Sequence, residues 1–296
     1  MQKHSFKSWL IATRPWSFPA SAMPVVVSVA YLFWRGYEVD WLISVWTLLN
    51  VIVFHAAGNT WSDYFDYIKG VDRDDTVGGT SMTSGEFAPR EIRSLAIGLL
   101  AVAVVSGLML LSCTGLPVLY FGLAGAVLTL FYPWLKYHAL GDVDIFLTYS
   151  LLPLLGASYV ATGGVRLEVL WLALPIGFIT MGILHVNNMR DIEHDKRAGI
   201  HTFAMLAGEK VSAVLYCLEM LLPFVWVVAG AVCGVFPIWS VAVLLALKPA
   251  VDNSRKAVAF LSAGSKALVG VDEGTAMLQL MFSLLFSVSL VVAALV

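Results

Sequence analysis

Charge is scarce in this sequence. Lys and Arg number 18 and Asp and Glu 20, together 13% of 296 residues, against roughly 25% in soluble domains. A water-soluble fold of this size has more surface than so few charges can cover. Cysteine is nearly absent. The three, Cys113, Cys217 and Cys233, lie in apolar runs without metal-ligand spacing, which excludes a disulfide-stapled secreted scaffold. There is no basic excess: a net charge of −2 gives no field that would draw nucleic acid. What is present is apolar, with 59% hydrophobic residues and a mean hydropathy of +0.83. That rules out a disordered chain and leaves a polytopic membrane protein. No cleavable signal peptide is evident. Lys3, Lys7 and Arg14 precede an apolar stretch of full spanning length, which predicts a retained first helix.

A spanning helix needs roughly 20 apolar residues. Nine stretches qualify, at about 17–34, 41–61, 93–112, 116–134, 143–162, 167–188, 211–232, 235–250 and 275–296, the eighth being short. The expectation is an all-α, single-domain bundle over 1–296, with about nine membrane helices around a central cavity. Pro19, Pro24, Pro133, Pro153, Pro175 and Pro223 fall within or beside spans, which predicts irregular helix interiors. All 18 basic residues except Arg35 and Arg166 fall on one side of the nine-span layout. The positive-inside rule makes that side, with the N-terminus, cytoplasmic.

Eight of the 20 acids sit in two short loops on that face: Asp63, Asp66, Asp72, Asp74 and Asp75, then Asp191, Glu193 and Asp195. Both clusters begin where an apolar span ends, and they share a rule. Asn59 precedes Asp63 by four residues, Asn187 precedes Asp191 by four, and a second Asp (Asp66, Asp195) follows three or four later. On a helix these positions share a face. The matched clusters suggest two similar four-helix units, about 17–134 and 143–250, with a ninth helix at 275–296. Converging carboxylates repel unless cations lie between them. Mg²⁺ typically takes one or two carboxylates plus substrate phosphates. The pattern therefore reads as a Mg²⁺-bridged diphosphate between two Asp-rich arms. Arg73, Arg190 and Arg197 lie in or beside the same loops, where guanidinium groups suit phosphate oxygens. Solvated acidic loops are the plainer alternative.

These residues resemble the UbiA superfamily of intramembrane aromatic prenyltransferases. The resemblance is carried by NNMRDIEHDKRAGIHTFAMLAG (187–208) and by SDYFDYIKGVD (62–72) followed by GGTSMTSGEF (78–87). ATRPWSFPASAMPVV (12–26) and YPWLKYHALGDVDIF (132–146) look most like the branch that prenylates 1,4-dihydroxy-2-naphthoate in menaquinone biosynthesis. The resemblance implies Asp66 and Asp72, with Asp63 beside them, and Asp191 and Asp195 as Mg²⁺-diphosphate residues. Tyr132 and Lys136 match a Tyr-x-x-x-Lys pair facing the diphosphate, and Arg14 an arginine associated with the acceptor. Ser62 stands where family members usually have Asn, so either Asn59 supplies the oxygen or the metal contact runs through water. Asn187 and Asn188 complete the second motif.

The implied reaction moves a prenyl group from polyprenyl diphosphate to the aromatic ring, releasing diphosphate and CO₂ and giving a demethylmenaquinol. The implied setting is a bacterial cytoplasmic (inner) membrane. Alternatives are another acceptor (4-hydroxybenzoate, homogentisate, a chlorophyllide or haem) or, from a different class, a cation-coupled transporter. Two features stay open. The loop 73–90 is either a lid or a connector. Glu219, inside a span, is either functional or bonded to a neighbouring helix.

Overall fold

The computed structural model describes residues 4–73 and 80–296, so Asp74, Asp75, Gly78 and Gly79 lie outside the described residues. The fold is all-α and polytopic, as expected. A short helix α1 (Phe6–Ala12), capped by Ser5, precedes the bundle. The bundle comprises α2 (Pro19–Trp34), α3 (Trp41–Lys69), α4 (Pro89–Thr114) and α5 (Pro117–Tyr137). A rod follows, made of α6 (Gly141–Phe146), a π turn (Leu147–Leu151) and α7 (Leu152–Thr162). Then come α8 (Ala173–Arg190), the short α9 (Ile192–Arg197) and α10 (Phe203–Ala207), α11 (Glu209–Val232), α12 (Leu247–Ala263) and α13 (Val271–Leu295).

Among the described residues, eight helical segments are long and apolar enough to cross a membrane, where the sequence predicts nine. The difference lies at 235–250. There a 3-10 stretch (Ile238–Ala246) runs into α12, which carries Lys248, Asp252, Arg255 and Lys256. Its path is still that of a return crossing. The tight turn at Gly230–Phe236 and the contact of Cys217 with the Ser254 carbonyl (3.6 Å) set it antiparallel to α11. Ser240 meets Ser289 (3.4 Å) and Asn253 abuts Gly274, which sets it antiparallel to α13. So α11 and α13 start at the same end of the bundle.

Burial grades the helices. In the most apolar stretches of the spans containing α2 and α8, 61% is buried, against 17% for α4 and 11% for α5. The main core, with Tyr31, Leu154, Ile176, Tyr216, Phe282 and Phe286, ties α2, α7, α8, α11 and α13 together. A smaller core joins Ala12, Met82, Phe87 and Ile92, with Trp9 and Phe87 at 4.6 Å between ring centroids. The part of loop 73–90 at 80–88 is therefore docked on α1. Arg35 and Arg166, the two basic residues set apart by the sequence, both lie at the far end of the bundle, each with its own partner. Arg35 pairs with Glu168 (3.2 Å) and Arg166 lies over Tyr37 (4.6 Å).

Candidate functional site

Both acidic clusters are shaped by the same helix ending. α3 continues two turns beyond its apolar run, so Asn59, Ser62, Asp63 and Asp66 share one helix. Gly70, at φ +73°, ends it: its N–H donates to the Tyr67 carbonyl (3.1 Å), and Val71 N–H to Asp66 (2.8 Å). This Schellman closure satisfies the last carbonyls. It also turns the chain back, and Asp72 N–H reaches the same Asp66 carbonyl at 3.2 Å. The second arm repeats the device. Gly199, at φ +68°, donates to Lys196 (3.2 Å), and Ile200 N–H to Asp195 (3.1 Å). Val71 and Ile200 are both buried, as the hydrophobic contact of this motif requires. The arms differ upstream. α3 is continuous, whereas α8 stops at Arg190 and restarts as α9, with Asp191 at the junction.

Between the arms lies a cavity of about 310 Å³. Asn59, Ser62, Asp66 and Asp72 line it from the first arm, and Asn187, Asn188, Arg190, Asp191 and Asp195 from the second. Arg14, Tyr132 and Lys136 complete the ring. Asp63 is buried just behind, paired with Arg14 (2.7 Å). Arg73 and Arg197 fall outside the lining. Arg73 Nε donates to the Gly70 carbonyl (2.8 Å), and Arg197 Nη2 bonds His194 Nδ1 (2.7 Å).

The acids come with their own counter-charges. Asp66 accepts from Lys136 Nζ (3.0 Å), Tyr137 OH (2.7 Å) and, more weakly, Ser62 Oγ (3.4 Å). Asp191 is held bidentately by Arg190 (2.9 and 2.9 Å), which also reaches Asp272 (3.1 Å). Arg14 adopts a left-handed backbone, φ +56°, unusual for a residue with a side chain. Asn59 fixes that strained turn. Its Nδ2 donates to the Thr13 carbonyl and to Ser17 Oγ (both 2.9 Å), and Ser17 Oγ donates to the Arg14 carbonyl (2.8 Å). The Asn59 amide nitrogen therefore positions the first cation. Arg14 borders the cavity, which leaves 38% of its side chain accessible, yet it lies deep in the protein. Burial works against its charge, but Asp63, Asp72 and Asp66 outweigh burial and hold its pKa above the usual value.

Asp195 differs from the clamped acids. It is 2% exposed, and its Oδ2 has no hydrogen-bond partner; Asn187 Oδ1 is likewise buried and unpartnered. Burial pushes the Asp195 carboxyl up to about 7; Lys136 opposes this, and Asp191, Asp66 and Asp72 add to it. Burial and Asp66 raise Asp72 in the same direction. Unsatisfied buried oxygens are donors waiting for a cation. Among the described residues, no three His, Cys, Asp or Glu converge closely enough to hold a metal alone. The set fits an ion that takes one or two protein oxygens per side and the rest from a ligand, which is the habit of Mg²⁺.

Several residues in or beside the cavity escape sequence reasoning. Tyr137 reaches Asp66, although Tyr132 is the tyrosine the pattern marks. Asp144, Thr148 and Tyr149 enter from the α6 rod, and Asp272 and Glu273 from the start of α13. The rule that flags Glu219, an acid in an apolar run, also flags Asp142 and Asp144. Glu219 Oε1 lies 2.8 Å from His185 Nδ1, and neither residue lines the cavity. A second, apolar cavity of about 260 Å³ lies among α3, α4, α5 and α7, and Thr148 lines both cavities.

The described residues thus form a polytopic helical membrane bundle with carboxylates, amides and cations ringed around a cavity at a helix-end face. The UbiA prenyltransferase family profile matches residues 21–261, and the chain belongs to that family. It is similar to UbiA prenyltransferase domain-containing protein 1 of Xenopus tropicalis, 33% identical over 75% of this chain and 66% of the relative. The Rattus norvegicus protein of the same name is 30% identical over 97% of this chain and 84% of the relative. The match thus spans just under two thirds of the Xenopus relative's length. The fold of this chain is similar to that of a UbiA homolog from Aeropyrum pernix K1 (TM-score 0.69, 17% identity, 93% of this chain and 97% of that one). A UbiA homolog from Archaeoglobus fulgidus, bound to GPP and Mg²⁺, also matches (TM-score 0.63, 14% identity, 95% and 99%). None of these names carries the 1,4-dihydroxy-2-naphthoate branch, so that narrower expectation rests on the sequence pattern alone.

Proposed function

We propose that this protein transfers a polyprenyl group from polyprenyl diphosphate to a hydroxylated aromatic acceptor, with 1,4-dihydroxy-2-naphthoate as the first candidate. One observation carries this reading: two acid-tipped helix ends face each other across a single cavity, with Lys136, Arg14 and Arg190 among them. The Archaeoglobus fulgidus homolog bound to GPP and Mg²⁺ supports the donor class and the metal.

Asp66 and Asp72 on one arm, and Asp191 and Asp195 with the Asn187 oxygen on the other, would hold Mg²⁺. The metal supplies charge neutralisation that makes diphosphate a better leaving group. The rest falls to side chains. Lys136 and Arg190 place fixed positive charge where negative charge grows on the departing oxygen. Tyr132 and Tyr149 line the cavity, where aromatic rings can stabilise the prenyl carbon as it becomes cationic. The apolar cavity beyond Thr148 takes the prenyl chain and keeps water from the reactive carbon. The ring attacks that carbon, and with the naphthoate its carboxylate leaves as CO₂.

The basic-residue split supports a cytoplasmic site, and on the sequence alone we propose a bacterial cytoplasmic membrane as the setting. The repeated Schellman closure supports two related four-helix units. The test is purified protein with Mg²⁺, labelled polyprenyl diphosphate and an acceptor panel. The panel includes the naphthoate, 4-hydroxybenzoate, homogentisate and a glyceryl phosphate. Transfer to the naphthoate is expected. Transfer to another aromatic alone would move the acceptor, and transfer only to the glyceryl phosphate would overturn the aromatic class. Mg²⁺-coupled flux in vesicles without any transfer would favour a transporter.

A further inference from the structure

The cavity between the arms has a neighbour on the protein surface. A separate pocket of about 400 Å³ opens where both arms end. Lys69, the last residue of α3, lines it from the first arm, and Gly199, Ile200 and His201 line it from the second. Trp134, Tyr137 and His138, at the end of α5, supply its third wall. The two closures that shape the acidic arms therefore share this pocket, and the proposed chemistry gives it no task.

Its chemistry favours an anion. Lys69 is exposed and forms no ion pair among the described residues, and no acid lines the pocket. His138 Nδ1 donates to the Trp134 carbonyl (2.7 Å), and the two rings stack at 4.3 Å between centroids. An ammonium beside imidazole and indole N–H donors, with no carboxylate to compete, suits phosphate oxygens. The rim is apolar: Trp134 is 54% and Leu206 68% exposed. α5 is also the least buried of the eight spans, at 11%. An exposed Trp at the end of a lipid-facing span marks the headgroup level of a bilayer. An anion bound there, beside apolar surface, is the head of an amphiphile.

We propose that this pocket binds the phosphate headgroup of an anionic phospholipid, and that the bound lipid braces the two arms. Tyr137 carries the coupling. It lines the pocket, its hydroxyl donates to Asp66 in the polar cavity (2.7 Å), and its carbonyl accepts from His201 N–H (3.0 Å). Lys69 adjoins Gly70, and His201 follows Ile200. A phosphate held by both side chains would fix the distance between the two closures. Lipid binding stands apart from the reaction. Only its effect on the donor rests on the reading of the protein as a prenyltransferase.

The binding test is native mass spectrometry of the purified full-length protein in detergent, titrated with phosphatidylglycerol, phosphatidylcholine or inorganic phosphate. Wild type should retain one phosphatidylglycerol roughly tenfold more tightly than phosphatidylcholine. The double variant Lys69→Gln/His201→Gln, which alters two exposed side chains, should lose that preference. Lys248→Gln, at an exposed lysine on α12, should keep it. Equal retention of both lipids, or an unchanged preference in the double variant, would overturn the site. Inorganic phosphate that displaces phosphatidylglycerol at equal concentration would make the ligand a free anion and overturn the lipid. The coupling test is prenyl transfer in nanodiscs with and without phosphatidylglycerol. The lipid should lower the half-saturating donor concentration roughly fivefold in wild type and leave the double variant unchanged. Tyr137→Phe should keep the lipid and lose that response. An equal response in the double variant would overturn the bracing. Wild-type protein that retains the lipid but transfers no prenyl group would overturn the reaction and leave the lipid site standing.

Discussion

The two acidic arms look alike in sequence and are built differently. The first lies on one unbroken helix, and its cations come from elsewhere: Lys136 and the Tyr137 hydroxyl from α5 hold Asp66, and Arg14, between α1 and α2, holds Asp63. The second lies across a helix break. Its cation, Arg190, is the neighbour of the acid it holds, and it tethers α13 through Asp272. Asp195 remains buried and open. The first arm is therefore a pre-neutralised wall that depends on tertiary packing. The second keeps the unsatisfied oxygens that a cation would satisfy. Equal spacing in sequence has given unequal roles.

The largest effect should come from breaking the first arm. Asp66→Ala removes a proposed ligand and strands Lys136, 15% exposed, beside a lost partner. Removing one member of a buried pair costs about 3–5 kcal/mol. Transfer should vanish and the melting temperature in detergent should fall steeply. Asp195→Asn should lose roughly 100-fold or more in kcat/KM at limiting Mg²⁺, by analogy with losses at single transition-state contacts. Because Asp195 Oδ2 bonds nothing, that variant should melt close to wild type. If both variants lost stability equally, the contrast between the arms would be wrong.

A subtler difference is in pH. In the folded, metal-free protein Asp195 keeps its proton up to about pH 7, whereas unfolded it ionises near the ordinary carboxylate value. Its folded pKa is raised, so the protonated form stabilises the fold at low pH. That contribution is lost as pH rises from the unfolded value through about 7. A bound Mg²⁺ requires the ionised form. Mg²⁺ affinity should therefore rise between pH 6 and 8, with proton release detectable by calorimetry in two buffers of different ionisation enthalpy. Asp195→Asn should abolish the proton release. Smallest of all, Gly70→Ala and Gly199→Ala force a side chain into φ near +70° at each closure. Each should cost about 1–2 kcal/mol. Gly70→Ala should also weaken donor binding, since it displaces Asp72.

The features legible in sequence were local ones. Apolar runs of spanning length and the Asn–Asp–Asp spacing depend on neighbours along the chain, and both clusters do reach the cavity. The reading failed where tertiary packing decides. The segment at 235–250 carries charge on a helix that still returns through the bundle. Tyr137, Asp144 and Asp272 reach the site only because α5, the α6 rod and α13 pack around it, and no spacing rule links them to Asp66. The Asp-x-x-x-Gly-Val/Ile pattern shared by 66–71 and 195–200 was a legible sign that the arms end alike.

The central claim is that two unlike arms grip one metal-bridged diphosphate. It is tested most directly by equilibrium binding of a non-reactive prenyl diphosphate analogue to the purified protein, with and without Mg²⁺. Wild type, Asp66→Asn and Asp195→Asn would be compared. Tight binding only with Mg²⁺, lost in each variant, is the predicted result. Wild-type affinity without Mg²⁺, or in either variant, would contradict it.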